Sequence, residues 1–292
     1  MKTIVAIGEA LWDVYPDGRR PGGAPCNVAF HVTRLGDRGV IVTRVGADAA
    51  GAELIAFLHA RGIVTDYVQR DGDRPTGTVS VTIAGTEARY AIADDVAWDR
   101  LTADDDAREL VRRADAVCVG SLAQRRGPSR AAVHELLTAA RSRALVVFDV
   151  NLRPPFVDRE VIRTTLLASD VVKMNASEAA ELSVLLDRPA LVPWLLEDVG
   201  VRVVCVTRGK AGASVSTPEG TVTAPGIETD TSTGDMVGAG DAFTAAMTHR
   251  LVRGVAPRDA LRAANRYAAL VAAKQGAMPM ISADELARLG LG

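Results

Sequence analysis

The sequence has few cysteines, few aromatic residues and no long hydrophobic run. The three cysteines, Cys26, Cys118 and Cys205, lie far apart in apolar surroundings. Because there is no CxxC pair, they predict no zinc site, and we expect buried free thiols in a reducing cytoplasm. The first apolar run, MKTIVAIGEALWDV, is interrupted by Gly8 and Glu9, so it predicts a core strand rather than a signal peptide or a membrane span.

The chain also lacks an excess of charge of either sign. Its formal net charge is −2 and its pI is about 6.1, which gives no overall attraction to nucleic acid or to an anionic membrane. Apolar residues make up 48% and charged residues 24%, as in ordinary globular proteins, and 292 residues are enough to bury a sizeable core. We therefore expect a protein that binds a small neutral or mildly acidic ligand.

Two common nucleotide-binding motifs are missing. The stretch VGAGDAF at 237–243 lacks the third glycine of GxGxxG and lies far from the first strand, so it does not predict a Rossmann cofactor site. Gly209-Lys210 is followed by Ala211 rather than by Ser or Thr, which excludes a P-loop. Any phosphate site in this chain must therefore be built in another way.

Short, almost continuously apolar segments alternate with helical patterns over most of the chain. Such segments are typical of a parallel sheet that is covered by helices on both faces, so we predict a doubly wound α/β sandwich. The predicted core strands are 3–8, 40–45, 116–120, 144–150, 170–175 and 201–207. The predicted helices run from Pro25 to Gly36, over 51–61, from Gly240 to Gly254, and from Pro257 to Gly276.

Residues 76–92 differ, because they alternate with the period of a half-buried strand. The apolar positions on the two sides of a turn at Gly85 are Val79, Val81 and Ile83, then Ala88, Tyr90 and Ile92. The pattern predicts an antiparallel hairpin with one apolar face. Such a hairpin would serve as a lid or a dimer surface, or would pack elsewhere on the body.

The stretch TGDMVGAGDAF at 233–243 leads into a helical pattern. Gly238, Ala239 and Gly240 would present free backbone N–H groups at a helix N-terminus, which is a site for an anion such as phosphate. Asp241 lies in the first turn. Taken alone, the stretch favours a turn in which Asp241 complements the helix dipole, worth about 0.3–1 kcal/mol. The alternative is a general base for an attacking hydroxyl, worth about 10²–10⁴-fold in rate.

Polar residues also follow several predicted strands or open predicted helices. They are Asp13 in GEALWD, Asn27 in GGAPCNVAF, Asp149, Asn151 and Arg153 in FDVNLRPPF, and Asn175 and Glu178 in KMNASEAAEL. Each has a structural alternative as a helix cap, a turn residue or a capping-box partner. Together they favour a binding site, because ligand crevices form at the carboxyl ends of the strands in such sheets.

These stretches resemble the PfkB-type carbohydrate kinases of the ribokinase superfamily over essentially the whole chain. GGAPCNVAFHVTRLG is similar to the family's N-terminal signature and VGAGDAF to its C-terminal one. FDVNLR, KMNASE and VTRGKAGA are similar to its D-x-N-x-R, N-x-x-E and nucleotide-loop elements, and fructokinase-like members are the most similar. The resemblance implies one domain over 1–292, a ribokinase-like three-layer α/β/α sandwich, with a small β lid within 11–24 and 64–98.

The resemblance also implies a role for each matching residue. Asp241 would be the base that activates the sugar's primary hydroxyl, and Gly238, Ala239 and Gly240 would form the anion hole for the γ-phosphoryl group. The other implied roles are sugar contacts from Asp13, Gly23 and Asn27, a contact of Arg153 with the substrate or phosphate, phosphate and water-mediated Mg²⁺ contacts from Asn175 and Glu178, and nucleotide contacts from Thr207, Gly209, Gly212 and Asn265.

One stretch departs from the family pattern. Asp235-Met236-Val237 stands where the family usually has two threonines before Gly-Ala-Gly-Asp. Asp235 keeps one ligand for the monovalent cation that some members use, and backbone carbonyls would supply the others, so K⁺ dependence is left open. The base and the anion hole are intact, so the resemblance implies activity.

The implied function is an ATP- and Mg²⁺-dependent kinase for a ketohexose, with D-fructose to fructose 6-phosphate as the first choice. Ribose, 2-keto-3-deoxygluconate and a nucleoside are alternatives, and the aromatic content of 4% disfavours the nucleoside. A sugar phosphate would need a basic cluster, for which Arg19-Arg20 is the candidate. A non-catalytic sugar or nucleotide sensor is the alternative of another class. We expect no nucleic-acid or membrane partner, and a homodimer through the lid is left open.

Overall fold

A computed structural model of the chain describes residues 1–84, 87–141, 143–229 and 234–291. The described residues form thirteen strands in two sheets, together with ten α-helices. The strands are β1 (Thr3–Ile7), β2 (Leu11–Tyr15), β3 (Gly18–Gly22), β4 (Arg38–Gly46), β5 (Val68–Asp71), β6 (Gly77–Ala84), β7 (Glu87–Ile92), β8 (Ala116–Val119), β9 (Leu145–Asp149), β10 (Val171–Asn175), β11 (Val203–Thr207), β12 (Ala213–Thr217) and β13 (Gly220–Ala224).

The large sheet has the order β13-β12-β11-β10-β9-β8-β1-β4-β5. The pairs from β11 to β5 are parallel, and β12 and β13 add two antiparallel strands at one edge. All six predicted core strands are present, with small shifts at their ends. Because these strands are parallel neighbours, their carboxyl ends meet along a single edge of the sheet, where ligands bind in open α/β sheets.

Helices cover both faces of the large sheet. The helices are α1 (Ala24–Arg34), α2 (Ala49–Ala60), α3 (Asp105–Arg113), α4 (Gly127–Ala140), α5 (Arg159–Leu167), α6 (Ala176–Leu185), α7 (Leu191–Glu197), α8 (Ala239–Leu251), α9 (Pro257–Ala272) and α10 (Ala283–Arg288). One buried cluster joins the sheet to α1, α2, α8, α9 and α10, and a second cluster joins the other face to α3–α7. The predicted three-layer α/β/α sandwich is therefore confirmed. In the described part of the chain, no helix is both long enough and apolar enough to cross a membrane.

The β12–β13 hairpin was absent from the strands predicted by hydrophobic pattern. The sequence of β12, ASVST, is largely polar, yet Ser214 and Ser216 are buried. Their hydroxyls are satisfied locally: Arg208 Nη2 donates to Ser214 Oγ at 3.1 Å, and Ser216 Oγ shares a 2.8 Å hydrogen bond with Thr221 Oγ1. Buried hydroxyls with partners can replace apolar residues in a strand, and a hydrophobic pattern does not register them.

The small sheet has the order β3-β2-β6-β7, and its strands lie within the ranges 11–24 and 64–98 that were predicted for the lid, whereas β5 belongs to the large sheet. We call the small sheet the lid. The 76–92 hairpin is present as the antiparallel pair β6–β7, whereas the predicted turn at Gly85 and the side chains of Ile83 and Ala88 lie outside the described residues. Val79 and Val81 are buried against Leu11, as predicted. The expected apolar face is wrong at Tyr90, which is 63% exposed because it lies on the edge strand of the sheet.

A buried ion pair ties the segment after the lid to the body. Arg125 and Asp99 are each 1% exposed, and the guanidinium donates to both carboxylate oxygens at 2.8 Å. The same guanidinium lies 3.9 Å from the ring centroid of Trp98 and 4.6 Å from that of Phe156, and it donates to the carbonyl of Ala93. The cation is therefore compensated from several sides at once.

Asp99→Asn is expected to lower the free energy of unfolding by about 3–5 kcal/mol, because it leaves a buried guanidinium without its counter-charge. The matched control is Asp94→Asn. The Asp94 carboxylate lies 4.0 Å from the same arginine but is 57% exposed, so its removal should cost less than about 1 kcal/mol. Urea unfolding of both variants measures the difference. Equal losses would show that the buried pair has no special weight.

Candidate active site

The site is built around the first turn of α8. Gly238 is the N-cap of this helix with φ 76°, and the helix itself begins at Ala239. The predicted glycine-rich turn is therefore partly helical, because α8 begins with Ala239, Gly240 and Asp241. A Cβ on Gly238 would lie 2.7 Å from the Cα of Ala277, so glycine is required for both conformation and space. The free N–H groups of this turn lie where an anion would bind.

Asp241 is partly buried and is held by a neighbouring helix. Asn27 Nδ2, from the first turn of α1, donates to Asp241 Oδ2 at 2.7 Å. Asn27 is buried inside α1, whose N-cap is Gly23, so the alternative interpretation of Asn27 as a helix cap is wrong. Burial and the negative charge of Asp149 raise the pKa of Asp241 to about 6, although the Asn27 hydrogen bond and nearby cations oppose the shift. A carboxylate with this pKa is suited to accept a proton near neutral pH.

Three further charged residues, Glu9, Asp13 and Arg153, are linked to Asp241 or to one another by their charges. Glu9 follows β1 and is 4% exposed, and burial raises its pKa to about 7. Asp13 lies on β2 of the lid, and burial raises its pKa to about 6. The positive charge of Arg153 lowers the pKa of Glu9, Asp13 and Asp241 alike, so its guanidinium is shared electrostatically by all three carboxyl groups. The cluster is thus rich in hydrogen-bond acceptors around one cation.

Two buried acceptor atoms in this cluster have no hydrogen-bond donor among the described residues. They are Oε2 of Glu9 and Oδ1 of Asn27. A buried acceptor without a partner costs about 1–3 kcal/mol, so these atoms favour a ligand that brings hydroxyl donors. Gly23 lies between them in the chain with φ 104°, and a Cβ there would collide with the carbonyl of Glu9. Close approach of α1 to the end of β1 therefore requires this glycine.

Asn175 and Glu178 form the capping box that was the structural alternative for them. Asn175 Oδ1 accepts from the N–H of Glu178 at 2.9 Å, and Glu178 Oε2 accepts from the N–H of Asn175 at 2.7 Å. Glu178 Oε1 accepts from the N–H of Leu152 at 3.0 Å, which fixes the loop that leads to Arg153. Asn175 Oδ1 also accepts from the hydroxyl of Ser177 at 2.6 Å, so it has no free lone pair. Each Glu178 oxygen accepts one hydrogen bond and can accept another from water, so Glu178 fits Mg²⁺ through water, as Mg²⁺ commonly binds.

Among residues 1–84, 87–141, 143–229 and 234–291, no group of three or more His, Cys, Asp or Glu side chains could hold a metal ion. The three cysteines are buried free thiols, as predicted. A divalent cation at this site would therefore depend on oxygens of a bound phosphate in addition to those of the protein.

A cavity of about 500 Å³ lies on one side of the α8 N-terminus. It contains the predicted nucleotide residues, since its lining includes Thr207, Gly209, Gly212, Asn265 and Gly240. The inner wall is formed by small residues of α9, namely Ala268, Ala269 and Ala272, which leave space for a flat group. Gly212 has φ 90°, and a Cβ there would collide with the Ala224 carbonyl. The volume of the cavity, its flat wall and its position at the N-terminus of α8 fit a nucleoside triphosphate.

A second cavity, of about 570 Å³, lies between the lid, α2 and the 234–237 loop. Asp13, Tyr15 and Arg20 line it from the lid, and Phe57 and Arg61 line it from α2. The guanidinium of Arg20 stacks over Tyr15 at 4.2 Å, and that of Arg61 stacks over Phe57 at 4.6 Å. Arg20 thus lies on the same cavity as Asp13. Arg61 lies there too, although the sequence did not predict that the two arginines would be close.

The Asp235-Met236-Val237 stretch separates these two cavities. Met236 has φ 59° and lines the nucleotide cavity, whereas Val237 lines the second one. Asp235 Oδ2 accepts from the N–H of Gly276 at 2.9 Å, and its Oδ1 accepts from the N–H of Val237 at 3.1 Å. The carboxylate therefore holds this loop against the turn after α9. Thr233, at the start of the quoted stretch, lies outside the described residues.

Three residues at the site were not predicted from the sequence to have a functional role. They are Glu9, Lys173 and Thr244. Glu9 was visible only as a polar residue in an apolar run. Lys173 carried a clearer signal, because a single lysine inside the apolar strand DVVKMN needs a buried partner. Thr244 had no signal, since a threonine on the inner face of a helix is common.

Comparisons with known proteins bear on this geometry. The family model for pfkB family carbohydrate kinases matches residues 1–284. Fructokinase-1 of Zea mays is 29% identical over 97% of this chain and 95% of its own length. An uncharacterized sugar kinase of Pyrococcus horikoshii, solved in complex with ATP, is 30% identical with a TM-score of 0.83, covering 98% of this chain and 97% of its own.

The fructokinase of Xylella fastidiosa with bound ATP has a TM-score of 0.87 at 25% identity and covers 98% of this chain and 97% of its own. The resemblance seen in the sequence is thereby confirmed over nearly the whole length. This chain belongs to the pfkB family of carbohydrate kinases.

Proposed function

We propose that this sugar kinase transfers the γ-phosphoryl group of ATP to the primary hydroxyl of D-fructose and forms fructose 6-phosphate. The observation that carries the proposal is the placement of Asp241, which is held by Asn27 at 2.7 Å, in the first turn of α8, whose N-terminal residues Ala239 and Gly240 line the cavity of about 500 Å³. A base and an anion hole are thus adjacent. The fructokinases among the relatives support the choice of acceptor.

Asp241 accepts the proton of the acceptor hydroxyl as its oxygen attacks the γ-phosphorus. A new P–O bond forms, the bond to the bridging oxygen breaks, and ADP leaves with that electron pair. Asn27 holds the carboxylate in place. Its carbonyl oxygen, together with Glu9 and Asp13, accepts hydrogen bonds from the acceptor's other hydroxyls. Arg153 balances the negative charge of these groups.

The N–H of Gly240, which has no acceptor among the described residues, and the positive end of α8 stabilise the charge on the transferring phosphoryl group, beside the N–H of Ala239, which donates to the carbonyl of Met236 at 3.4 Å. Phosphoryl transfer needs little covalent participation from the protein, so positioning and charge stabilisation supply most of the rate. Thr207, Gly209, Gly212 and Asn265 hold the nucleotide in the cavity beside α8. Glu178 would hold Mg²⁺ through water, and the ion would neutralise phosphate charge when bound.

The second cavity is larger than a hexose needs, and it supports a second candidate acceptor. Arg20 and Arg61 line it, and a carboxylate would pair with either guanidinium. A sugar acid such as 2-keto-3-deoxygluconate fits this feature, whereas Asp13 and Asp235 on the same cavity favour a neutral polyol. Because two aspartates oppose the two arginines, the lining of this cavity supports fructose as the first choice.

The lid would exclude water from the site and so limit ATP hydrolysis. The exposed Tyr90 at its edge supports a homodimer through the lid. Three buried free thiols and the use of ATP support a cytoplasmic location.

Asp235 and neighbouring carbonyls would form a monovalent-cation site, in which K⁺ is the expected ion.

Asp241→Asn is expected to lower kcat by about 10²–10⁴-fold, because the amide cannot accept the hydroxyl proton. ADP release with fructose, ATP and Mg²⁺ measures the loss. The matched control is Asp259→Asn, which removes an exposed carboxylate from the first turn of α9 and should leave turnover unchanged. If the folded Asp241→Asn protein keeps wild-type turnover, Asp241 only complements its helix and the base assignment is wrong.

The pH dependence follows from the raised pKa of Asp241. Because only the ionised carboxylate can accept the proton, kcat/KM should fall as the pH drops through about 6 and should level off above it. An unshifted aspartate would keep its activity down to about pH 4. Initial rates from pH 4.5 to 8 decide between the two, with an acid limb near pH 4 as the contrary result.

Fructose should give the highest kcat/KM in a panel that contains ribose, 2-keto-3-deoxygluconate and a nucleoside, each assayed with and without K⁺. Arg61→Met should leave the KM for fructose nearly unchanged and raise the KM for the sugar acid roughly 10-fold or more, because a charged hydrogen bond is lost. Arg266→Met, at an exposed position of α9, is the control. A sugar acid with the higher kcat/KM would replace fructose as the assigned substrate.

A further inference from the structure

Behind the anion hole lies a buried ion pair, formed by Lys173 of β10 and Asp149 of β9. The two residues are register partners on neighbouring parallel strands. Lys173 Nζ lies 3.0 Å from both carboxylate oxygens of Asp149, and the side chains are only 10% and 8% exposed. Thr244 Oγ1, from α8, donates to Asp149 Oδ2 at 2.6 Å. The pair therefore connects the sheet to the helix that carries Asp241.

Stability alone does not explain this pair. Replacing a buried ion pair with apolar residues of similar volume is often neutral or stabilising, because both charges lose their hydration. Here the surroundings are a packed core between the sheet and α8 that could hold apolar side chains. Any functional role of the two charges therefore concerns the group next to them, which is the N-terminal part of α8.

The ammonium of Lys173 abuts the first turn of α8. A Cβ on Gly240 would lie 3.2 Å from Lys173 Nζ, closer than most real contacts of a Cβ. Gly240 thus lets a full positive charge approach the backbone that forms the anion hole. That charge adds to the partial positive charge of the helix N-terminus, at the place where the transferring phosphoryl group would sit.

The pair also acts on Asp241. The charge of Asp149 raises the pKa of Asp241, and that of Lys173 lowers it. The other titratable groups that face Asp241 are Glu9 from the end of β1, Cys26 from α1 and Arg153 from the loop after β9. Cys26 is neutral, because burial raises the pKa of its thiol far above the usual value. Lys173 and Asp149 are therefore two buried charges of opposite sign that act on the pKa of Asp241 in opposite directions.

We infer that Asp149 and Lys173 are a pair of positioning residues for phosphoryl transfer. The ammonium supplies positive potential behind the anion hole, and the two opposed charges set the pH range in which Asp241 acts as the base. The inference rests on the proposed function. With Lys173 alone, Asp241 would be ionised at lower pH and would be a weaker base. With Asp149 alone, the pKa of Asp241 would be higher, and a smaller fraction of its carboxyl group would be ionised.

Asp149→Asn and the double variant Asp149→Asn with Lys173→Met test the pair. Asp149→Asn should move the acid limb of kcat/KM to lower pH by on the order of one unit. Adding Lys173→Met should move the limb back up and lower the plateau kcat roughly tenfold, with little change in the KM for the acceptor. Comparing these two variants isolates the lysine charge without leaving Asp149 buried and unpaired.

Thr244→Val is the matched control, because it removes a hydrogen bond to Asp149 without changing any charge. It should lower Tm and leave the acid limb in place. If the limb does not move among wild type and the two charge variants, or moves equally in Thr244→Val, the pair is only structural. If Asp149→Asn does not fold, the double variant, which leaves no charge alone in the core, decides through its plateau kcat, and an unchanged value overturns the inference.

Turnover of the wild-type protein separates this inference from the proposed function. Formation of a sugar phosphate by wild type establishes the proposed function before any variant is compared. Unchanged pH profiles in active variants would then overturn the pair alone. Absence of sugar phosphate from every acceptor in the panel would overturn the proposed function itself.

Discussion

The site depends on one close approach, that of the α8 N-terminus to the carboxyl edge of the large sheet. An exposed helix end would lose most of its field to water, whereas a helix end against a packed sheet keeps it. Two glycines make the approach possible. Gly238 passes the backbone of Ala277, and Gly240 passes the ammonium of Lys173. A side chain at position 238 would collide with the backbone of Ala277, and a side chain at position 240 would displace the ammonium of Lys173 from the start of the helix.

Helix α1 holds the N-terminus of α8 in place through two of its side chains. Asn27 at its start holds Asp241, and His31 one turn later lies between Tyr267 of α9 and the carbonyl of Ala277, at 3.0 Å from each. Burial lowers the pKa of His31 to about 3, so the ring stays neutral and serves as a fixed link. A single helix thus sets the position of Asp241, the proposed base, and of the turn that packs against Gly238.

The sequence predicted the sandwich, the core strands and the helix that begins beside Asp241, because these depend on local hydrophobic pattern and on glycine. It predicted the lid hairpin but not the exposure of Tyr90, since exposure depends on which strand lies at the edge of a sheet. For Asn175 and Glu178 the spacing predicted two roles, and the capping geometry is the one formed.

The interior of the site was harder to predict, because contacts between distant segments leave no local pattern. Lys173, Asp149 and Thr244 come from three separate elements, and their meeting requires the strand order of the folded sheet. Arg20 and Arg61 line the same cavity only because α2 packs beside the lid, and the sequence does not show this packing. The spacing of residues within one motif can be predicted from the sequence, whereas the distance in space between two motifs depends on the fold.

The lid has a further consequence, which follows from its connections. Strands β2 and β3 join the body through Gly8 with φ 150° and Gly23 with φ 104°, so both connections lie within a few residues of Glu9 and Asn27. Asp13 belongs to the lid, while Asp241 belongs to the body. Any opening of the lid therefore separates the two carboxylates that would hold one acceptor. In the proposed reaction, recognition and enclosure of the acceptor would therefore be one event, in the manner of induced fit, because only an acceptor with hydroxyls for both Asp13 and Asp241 would bridge the lid and the body.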